Sequence, residues 1–315
     1  MTAGPGRPDV EVLEVDAHRA HDVLALIHAS FAGRPVLDPP STALEETVDS
    51  VTRTLAQYGG LLAVHAGRPV GALLLGEEDG LLGLHRVGVL AEARRHGVAS
   101  ALARAAEEVA RSRGLRGLEL EARRELPETV RFWEGHGYVE TAHVGPRLTM
   151  TRLLPLAASL PEAEDTRAVG ERLGGLLRAG DLVILTGDLG AGKTTLTQGL
   201  GQGLGVRGNV TSPTFVISRV HPSEVGGPPL VHVDAYRLSG AAELDDLDLD
   251  TDVDEAVTVV EWGEGLAEAL TGDRLEIRLE RPADPSSEVR SITVTAVGSR
   301  WRDADLTVVL PVDAD

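Results

Sequence analysis

The chain has no cysteine among its 315 residues, which excludes disulfides, thiolate metal sites and cysteine nucleophiles together. Aromatic side chains make up only 3% of it, so a core has to be built from Val, Leu and Ala. No apolar run reaches the roughly 18 residues a membrane helix needs, and the opening MTAGPGRPDV lacks the basic and apolar regions of a signal peptide. A cytoplasmic protein without membrane contact is expected. Positive charge is also short: the formal net charge is −19. Residues 1–153 hold 17 basic and 21 acidic side chains, and residues 154–315 hold 13 and 28. A carboxyl-terminal half that acidic is unsuited to neutralising nucleic-acid phosphates by itself, so DNA binding is not expected and RNA would have to come on a partner protein. Among the charged residues lysine is scarcest, with Lys193 alone against 29 arginines.

What is present around that lysine is Gly187-Asp188-Leu189-Gly190-Ala191-Gly192-Lys193-Thr194-Thr195, which contains the G-x-x-x-x-G-K-[ST] phosphate loop. A compact ammonium on a flexible stem reaches between β- and γ-phosphates where a planar guanidinium does not fit. The apolar run Leu182–Leu185 precedes the loop and a helical pattern, Thr194–Leu204, follows it; this strand–loop–helix order is the context a phosphate loop requires. Backbone N–H groups of Asp188–Thr194 would surround the phosphates, and the Thr194 hydroxyl is the expected Mg²⁺ ligand. An acidic partner is expected at the end of a neighbouring apolar strand, and two stand ready: Glu261 after Val257–Val260, and Asp234 after Leu230–Val233. A GTPase base reader of the Asn-Lys-x-Asp type is impossible in a chain with one lysine, and no arginine cluster suggests a kinase lid. The acidic stretch Glu243–Glu255 lacks the glycine a Ca²⁺ loop needs at its sixth position, counted from Asp246 or Asp248, and is expected to be a solvated face. His232 is expected to be a strand residue with one satisfied nitrogen rather than a base.

Length and patterning predict two domains, 1–153 and 154–315, with Pro155–Glu164 as the linker. In the first, helices are predicted over Asp16–Phe31 and from Ser41 through Tyr58, strands over Leu61–His65, Val70–Leu75 and Leu81–Val89, a helix over Ala99–Arg113, a strand over Gly117–Ala122, a short helix over Glu128–Glu134, and strands over Tyr138–Val144 and Leu148–Leu153. In the second, a helix over Asp165–Leu177 leads into a mainly parallel α/β sheet whose inner strands are Leu182–Leu185, Leu230–Val233 and Ala256–Val260, completed by Leu275–Leu279, Ser291–Val297 and Leu306–Leu310.

Four blocks of the second half, Gly187–Thr195, Val210-Thr211-Ser212-Pro213-Thr214-Phe215, His232-Val233-Asp234-Ala235-Tyr236-Arg237-Leu238 and Val260-Glu261-Trp262, with Asp165-Thr166 upstream, resemble the TsaE family, P-loop ATPases of tRNA N6-threonylcarbamoyladenosine synthesis. The resemblance implies that Lys193, Glu261 and Asp234 are catalytic, and that Thr194 and Glu261 hold Mg²⁺ with Asp234 close to the metal and γ-phosphate. It implies that Thr166, Asp188, Leu189, Gly190, Ala191, Gly192, Lys193, Thr194, Thr195 and Trp262 bind ATP, and that Thr211–Thr214 responds to the nucleotide. It further implies action with TsaB and TsaD, tRNA being met only through them.

The first half contains Arg94-Arg95-His96-Gly97-Val98-Ala99 after a strand ending Val87-Gly88-Val89, and a late Phe132-Trp133-Glu134-Gly135-His136-Gly137-Tyr138. A turn of free N–H groups at a helix start suits a pyrophosphate, and small residues at Gly97, Ala99 and Ser100 let that backbone approach closely. These blocks and the element order resemble the α+β GNAT acyltransferase fold. The resemblance implies acetyl-CoA on Arg94, Arg95, Gly97, Ala99 and Ser100, with backbone of Val87 and Val89 against the acetyl and pantetheine arm. Three positions depart from the family's pattern. Trp133 stands where a proton-donating tyrosine is usual, and indole cannot donate a proton in its place; Leu126 replaces an asparagine and Ala91 a proline. Glu119, Glu121 or Tyr138 could substitute for that tyrosine. The leading expectation is therefore a threonylcarbamoylation ATPase fused to an acetyl-CoA-binding domain. The alternatives are an amine N-acetyltransferase with a regulatory ATPase, or a first half that only senses acetyl-CoA or docks partners.

Overall fold

Alternating side chains in VEVLEV commit Val10–Val15 to a half-buried strand, an element that the helical patterns behind it hide in the sequence. A computed structural model describes residues 10–35, 37–213, 217–237, 253–282, 284 and 287–311. The chain separates into two compact units, Met1–Leu154 and Pro155–Asp315. Thr214, Phe215, Leu238 and most of the acidic stretch, Asp246 and Asp248 included, lie outside the described residues. Among the described residues no helix is long and apolar enough to cross a membrane.

The first unit runs β1 (Val10–Val15), α1 (Ala20–Ala32), α2 (Val48–Tyr58), β2 (Gly60–His65), β3 (Arg68–Glu78), β4 (Leu81–Val89), α3 (Val98–Ser112), β5 (Gly117–Arg123), α4 (Pro127–Glu134), β6 (Val139–Val144) and β7 (Arg147–Leu153). Its sheet has the order β1-β2-β3-β4-β5-β7-β6. The helix expected from Ser41 to Tyr58 is broken. Ser41 caps only a 3₁₀ turn over Thr42–Glu45, and α2 starts afresh from a Thr47–Ser50 capping box, because two competing N-caps six residues apart each begin their own turn. One face of the sheet packs Leu82, Leu84, Leu118 and Leu120 against α3 and against Trp133 and Tyr138. On the other, Leu62, Ala72 and Leu74 pack with Val23 and Ile27 of α1 and Val51 and Leu55 of α2. β4 and β5 pair in parallel only from Leu81–Gly117 to Leu84–Leu120; beyond that the strands part.

The second unit runs β8 (Leu156–Leu160), α5 (Ala163–Gly174), β9 (Leu182–Thr186), α6 (Lys193–Gly203), β10 (Ser218–His221), β11 (Leu230–Asp234), β12 (Val257–Glu261), β13 (Arg274–Glu280) and β14 (Arg290–Val297). The sheet order is β10-β11-β12-β9-β13-β14-β8. Its central four strands are parallel and its flanking strands antiparallel. Two expectations are corrected. Pro155–Glu164 is not a linker throughout, since Leu156–Leu160 forms β8 against Arg290–Val294; the flanking prolines punctuate a short strand whose partner is remote in sequence. Leu306–Leu310 is not a strand: Asp305 accepts from Thr307 N–H at 3.0 Å and starts a 3₁₀ turn instead. β10, a short edge strand, carries no strong pattern and was not expected.

The placement of the phosphate loop depends on α5 and α6 lying almost backbone to backbone. A Cβ on Gly170 would come within 2.2 Å of Leu196 O, one on Gly174 within 2.5 Å of Leu200 O, one on Gly199 within 2.0 Å of Arg167 O, and one on Gly203 within 2.1 Å of Glu171 O. Each helix thus presents glycines four residues apart, on one stripe. We expect Gly199→Ala to destabilise the second unit by about 1–3 kcal/mol through overpacking, read by denaturant unfolding. Gly33→Ala, where nothing lies within 4 Å, serves as the control and should leave stability nearly unchanged.

Candidate functional sites

In the second unit, β9 delivers the chain into the phosphate loop, and Gly192, left-handed at φ 110°, caps α6 without any side-chain cap. The first-turn N–H groups of α6 are therefore unclaimed by a capping side chain. Ala191 is fully buried and holds the loop down, while Leu189 is 87% exposed at its tip; Asp188 and Gly190 are exposed beside it. Lys193 Nζ donates to Gly187 O at 2.5 Å and to Asp188 O at 3.1 Å, and lies 3.7 Å above the ring centroid of Trp262. Burial holds its pKa below the ordinary lysine value, against the opposing pull of Glu261, Asp234 and Asp188. Trp262 itself follows β12 at φ +62°, a left-handed conformation that a bulky residue takes only where its surroundings enforce it. Its N–H is held by Leu185 O at 2.9 Å, and its ring meets Tyr236 at 5.3 Å.

The two acidic residues sit at the ends of adjacent parallel strands as direct Cα partners, Asp234 beside Glu261. They have different company. Glu261 Oε1 accepts from Thr194 Oγ1 at 3.0 Å and pairs with His232 Nε2 at 3.0 Å. Asp234 accepts from Ser212 Oγ at 3.2 Å and from the Tyr236 N–H at 3.1 Å. His232 is fully buried, and among the described residues its Nδ1 has no partner. A hydrogen on Nε2 makes it the donor to the carboxylate. The expectation of one satisfied nitrogen matches this geometry; what the sequence did not reveal is that the partner would be Glu261. Thr166 is buried on α5, its Cγ2 3.6 Å from where a Cβ on Gly192 would sit, and Thr195 lies in the first turn of α6. Thus Thr166, Gly187–Thr195, Asp234, Glu261 and Trp262 gather at one end of the central strands.

In the first unit a parallel arrangement recurs. Arg95 (φ 65°) and Gly97 (φ 78°) turn the chain left-handed, and Gly97 caps α3 without a side-chain cap. Ala99 and Ser100 lie in that first turn. Val87 and Val89 stand where β4 has left β5; Val87 O accepts from Arg34 Nη2 at 3.0 Å, and Val89 O lies 3.4 Å from Arg94 Nε. Burial and the neighbouring Arg94 lower the Arg34 pKa to about 10, so it stays charged at neutral pH. Among the described residues neither guanidinium has a carboxylate partner. Sequence reasoning missed Arg34, which belongs to no local pattern, and His136, whose Nε2 meets Ser100 Oγ at 2.9 Å while its Nδ1 meets Phe132 O at 2.7 Å. Trp133 is buried and stacks edge-on with Tyr138. Among the described residues the buried Tyr138 hydroxyl has no partner, and burial pushes its pKa well above the ordinary tyrosine value. Glu119 accepts from Thr151 Oγ1 at 2.9 Å, and Glu121 is exposed, 3.9 Å from Arg147.

The family model described as threonylcarbamoyl adenosine biosynthesis protein TsaE matches residues 160–290, and the acetyltransferase (GNAT) family model matches residues 26–138. The tRNA threonylcarbamoyladenosine biosynthesis protein TsaE of Streptomyces coelicolor is 65% identical over 145 residues, covering 45% of this chain and 98% of its own length. Its counterpart in Bacillus subtilis is 41% identical over 139 residues, covering 44% and 84%. Among solved structures, Bacillus subtilis YdiB is 35% identical with a TM-score of 0.38, covering 47% of this chain and 89% of its own. The PaiA N-acetyltransferase of Thermoplasma acidophilum, solved with coenzyme A, is 14% identical with a TM-score of 0.42, covering 46% and 99%.

The Glu261 contacts generate a stability prediction that is independent of any ligand. His232→Ala removes a buried donor and should cost about 1–3 kcal/mol in denaturant unfolding, whereas Asp188→Ala, at an exposed loop position, should cost nearly nothing.

Proposed function

The chain belongs to the TsaE family through its second unit, and from that premise we propose that this unit is the ATP-hydrolysing component of N6-threonylcarbamoyladenosine synthesis on tRNA. The observation that carries the reading is the 3.0 Å contact between Thr194 Oγ1 and Glu261 Oε1 at the foot of the phosphate loop. A hydroxyl and a carboxylate in that relation are hard oxygen donors of the kind Mg²⁺ takes, together with phosphate oxygens and water. Thr194 and Glu261 would hold the ion, and bound Mg²⁺ supplies charge neutralisation of the β- and γ-phosphates. His232 keeps the Glu261 carboxylate aimed at Thr194. Lys193, held by two carbonyls and the face of Trp262, has in a phosphate oxygen a stronger, charge-assisted partner. The uncapped N–H groups of α6, with the backbone of Asp188, Leu189, Gly190, Ala191 and Gly192, would cradle the phosphates. Thr166, Thr195 and Trp262 would border the nucleotide. Asp234, which accepts from Ser212, would lie close to the metal and γ-phosphate, and the Thr211–Thr214 segment would respond to the nucleotide.

Because the second half of the chain is so acidic, its place in tRNA modification is best served by partner proteins that carry the RNA, and TsaB and TsaD are the partners we assign. The first unit is read as an acetyl-CoA site. Arg94 stands just before the uncapped start of α3 and Arg34 is near enough to feel its charge; among the described residues neither has a carboxylate partner, and that donor set suits a pyrophosphate. Arg94, Arg95, Gly97, Ala99 and Ser100 would hold it, and the coenzyme would supply an activated acyl carbon at the β4–β5 fork near Val87 and Val89.

The test is the threonylcarbamoyladenosine content of tRNA, by nucleoside mass spectrometry, in cells whose only copy of the chain is Lys193→Ala. A marked fall is expected; an unchanged level would remove the protein from the pathway. In the purified protein, Lys193→Ala should abolish ATP turnover and leave coenzyme A affinity intact. Glu261→Ala should reduce Mg²⁺-dependent hydrolysis far more than Mg²⁺-free nucleotide binding. Hydrolysis that survives the change would transfer the acidic role to Asp234.

A further inference from the structure

Arg34 lies just beyond α1 and reaches across to β4. Its guanidinium carbon is 3.6 Å from the centroid of the Phe31 ring, which fixes the plane of the group, and its Nη2 donates to Val87 O at 3.0 Å. Among the described residues its Nε and Nη1 have no partner. Pairing of β4 with β5 ends at Leu84 and Leu120, so the Val87 carbonyl, and Arg34 with it, stands inside the fork between the two strands. Arg94 is placed differently. Its Nε lies 3.4 Å from Val89 O, roughly 6–7 Å further along the strand and towards the loop that opens α3.

Charge sets Arg34 apart from its neighbours. Every arginine on β4, β5 and β7 faces a carboxylate: Arg86 bonds Glu46 at 2.8 Å, Arg123 bonds Glu125 at 2.8 Å, Arg147 approaches Glu121 at 3.9 Å, and Arg152 bonds Glu107. Those acids are therefore taken. Arg34 has no carboxylate partner among the described residues. Burial, and after it the charge of Arg94, lowers its pKa to about 10. A half-buried cation that donates to one carbonyl and is repelled by a second cation is stabilised by any anion that arrives beside it. Its unpartnered N–H groups suit a carboxylate, which is planar and accepts on both oxygens.

We propose that Arg34 reads a carboxylate at the β4–β5 fork, so that the first unit selects an acidic substrate. The proposal rests on the reading of this unit as a coenzyme A site. With the pyrophosphate at the start of α3 beside Arg94, the arm that passes Val89 and Val87 brings whatever its sulfur carries towards Arg34. Two molecules could present the carboxylate there. One is the acyl group itself, as in a dicarboxylic acid joined to coenzyme A through one end. The other is the acceptor, as the carboxylate of an amino acid. Both offer the guanidinium the same chemistry, and a neutral ligand leaves it without a counter-ion. Arg34 acts on selection: it would touch the carboxylate and not the atoms between which the acyl group moves.

Calorimetry on the full-length chain separates the two sources with unreactive ligands. Coenzyme A, S-ethyl-CoA, S-carboxymethyl-CoA and S-(3-carboxypropyl)-CoA test the acyl group. N-acetylglycine and its neutral amide, added to the chain saturated with coenzyme A, test the acceptor. In at least one set a carboxylate form should bind about tenfold tighter than its neutral counterpart, and the set that shows this names the source. Arg34→Gln should abolish the preference and Arg34→Lys should restore part of it. Arg94→Gln should weaken all the coenzyme A ligands alike and leave the preference intact. Because the preference is a ratio within one protein, a smaller folded fraction does not alter it. Failure of wild-type protein to bind coenzyme A overturns the cofactor reading and the proposal with it. Binding of coenzyme A without a carboxylate preference in either set overturns the proposal alone. So does a preference that survives Arg34→Gln, or an equal loss of all coenzyme A ligands in that variant, which would make Arg34 a pyrophosphate ligand only.

Discussion

Both units depend on one backbone constraint: a left-handed glycine turns the chain from the end of a strand into a helix and leaves the first turn of that helix uncapped. Gly97 does this for α3 and Gly192 for α6. An ordinary helix start would place Ser, Thr, Asp or Asn at this position and use its oxygen to satisfy the N–H groups. Here those donors and the positive end of the helix dipole stay available to an anion. The rest of each unit arranges what surrounds that turn: Lys193 and the Thr194–Glu261 contact in one, Arg34, Arg94 and Ser100 in the other.

Holding charge next to such a turn without water is costly, and the second unit meets that cost with a buried polar chain. Glu261 is almost wholly buried, and a carboxylate there requires donors on its oxygens. Thr194 and His232 supply them from two different elements, α6 and β11. Parallel register makes this possible, since Asp234 and Glu261 are Cα partners and His232 lies one pleat upstream on the same face. Close contact of α5 with α6 through four glycines then brings Thr166 against the loop. Replacing any one of these contacts alters the aim of the others.

The phosphate loop, its strand and its helix were legible because everything that defines them is local: apolar run, glycines, lysine and threonine within fifteen residues. The acids were legible as candidates, because strand ends are visible in sequence, but choosing between them required knowing which side chain reaches Thr194. β8 was hidden because its pairing with β14 spans most of the second unit. The pairing of Gly76 with Gly83 was equally hidden: only the β3–β4 register places them side by side, with His85 Nε2 over both. Long-range pairing, rather than local propensity, is what the sequence withholds.

Scarcity of lysine gives the chain an unusual chemical profile towards acylating agents. Its ε-amines number one, and that one is bonded to two carbonyls and shielded by an indole face. A protein whose first half matches the acetyltransferase (GNAT) family model thus offers its own side chains almost nowhere for acyl groups to land. Any covalent mark on a lysine of this chain would fall in the phosphate loop and would report directly on whether Lys193 had left the face of Trp262.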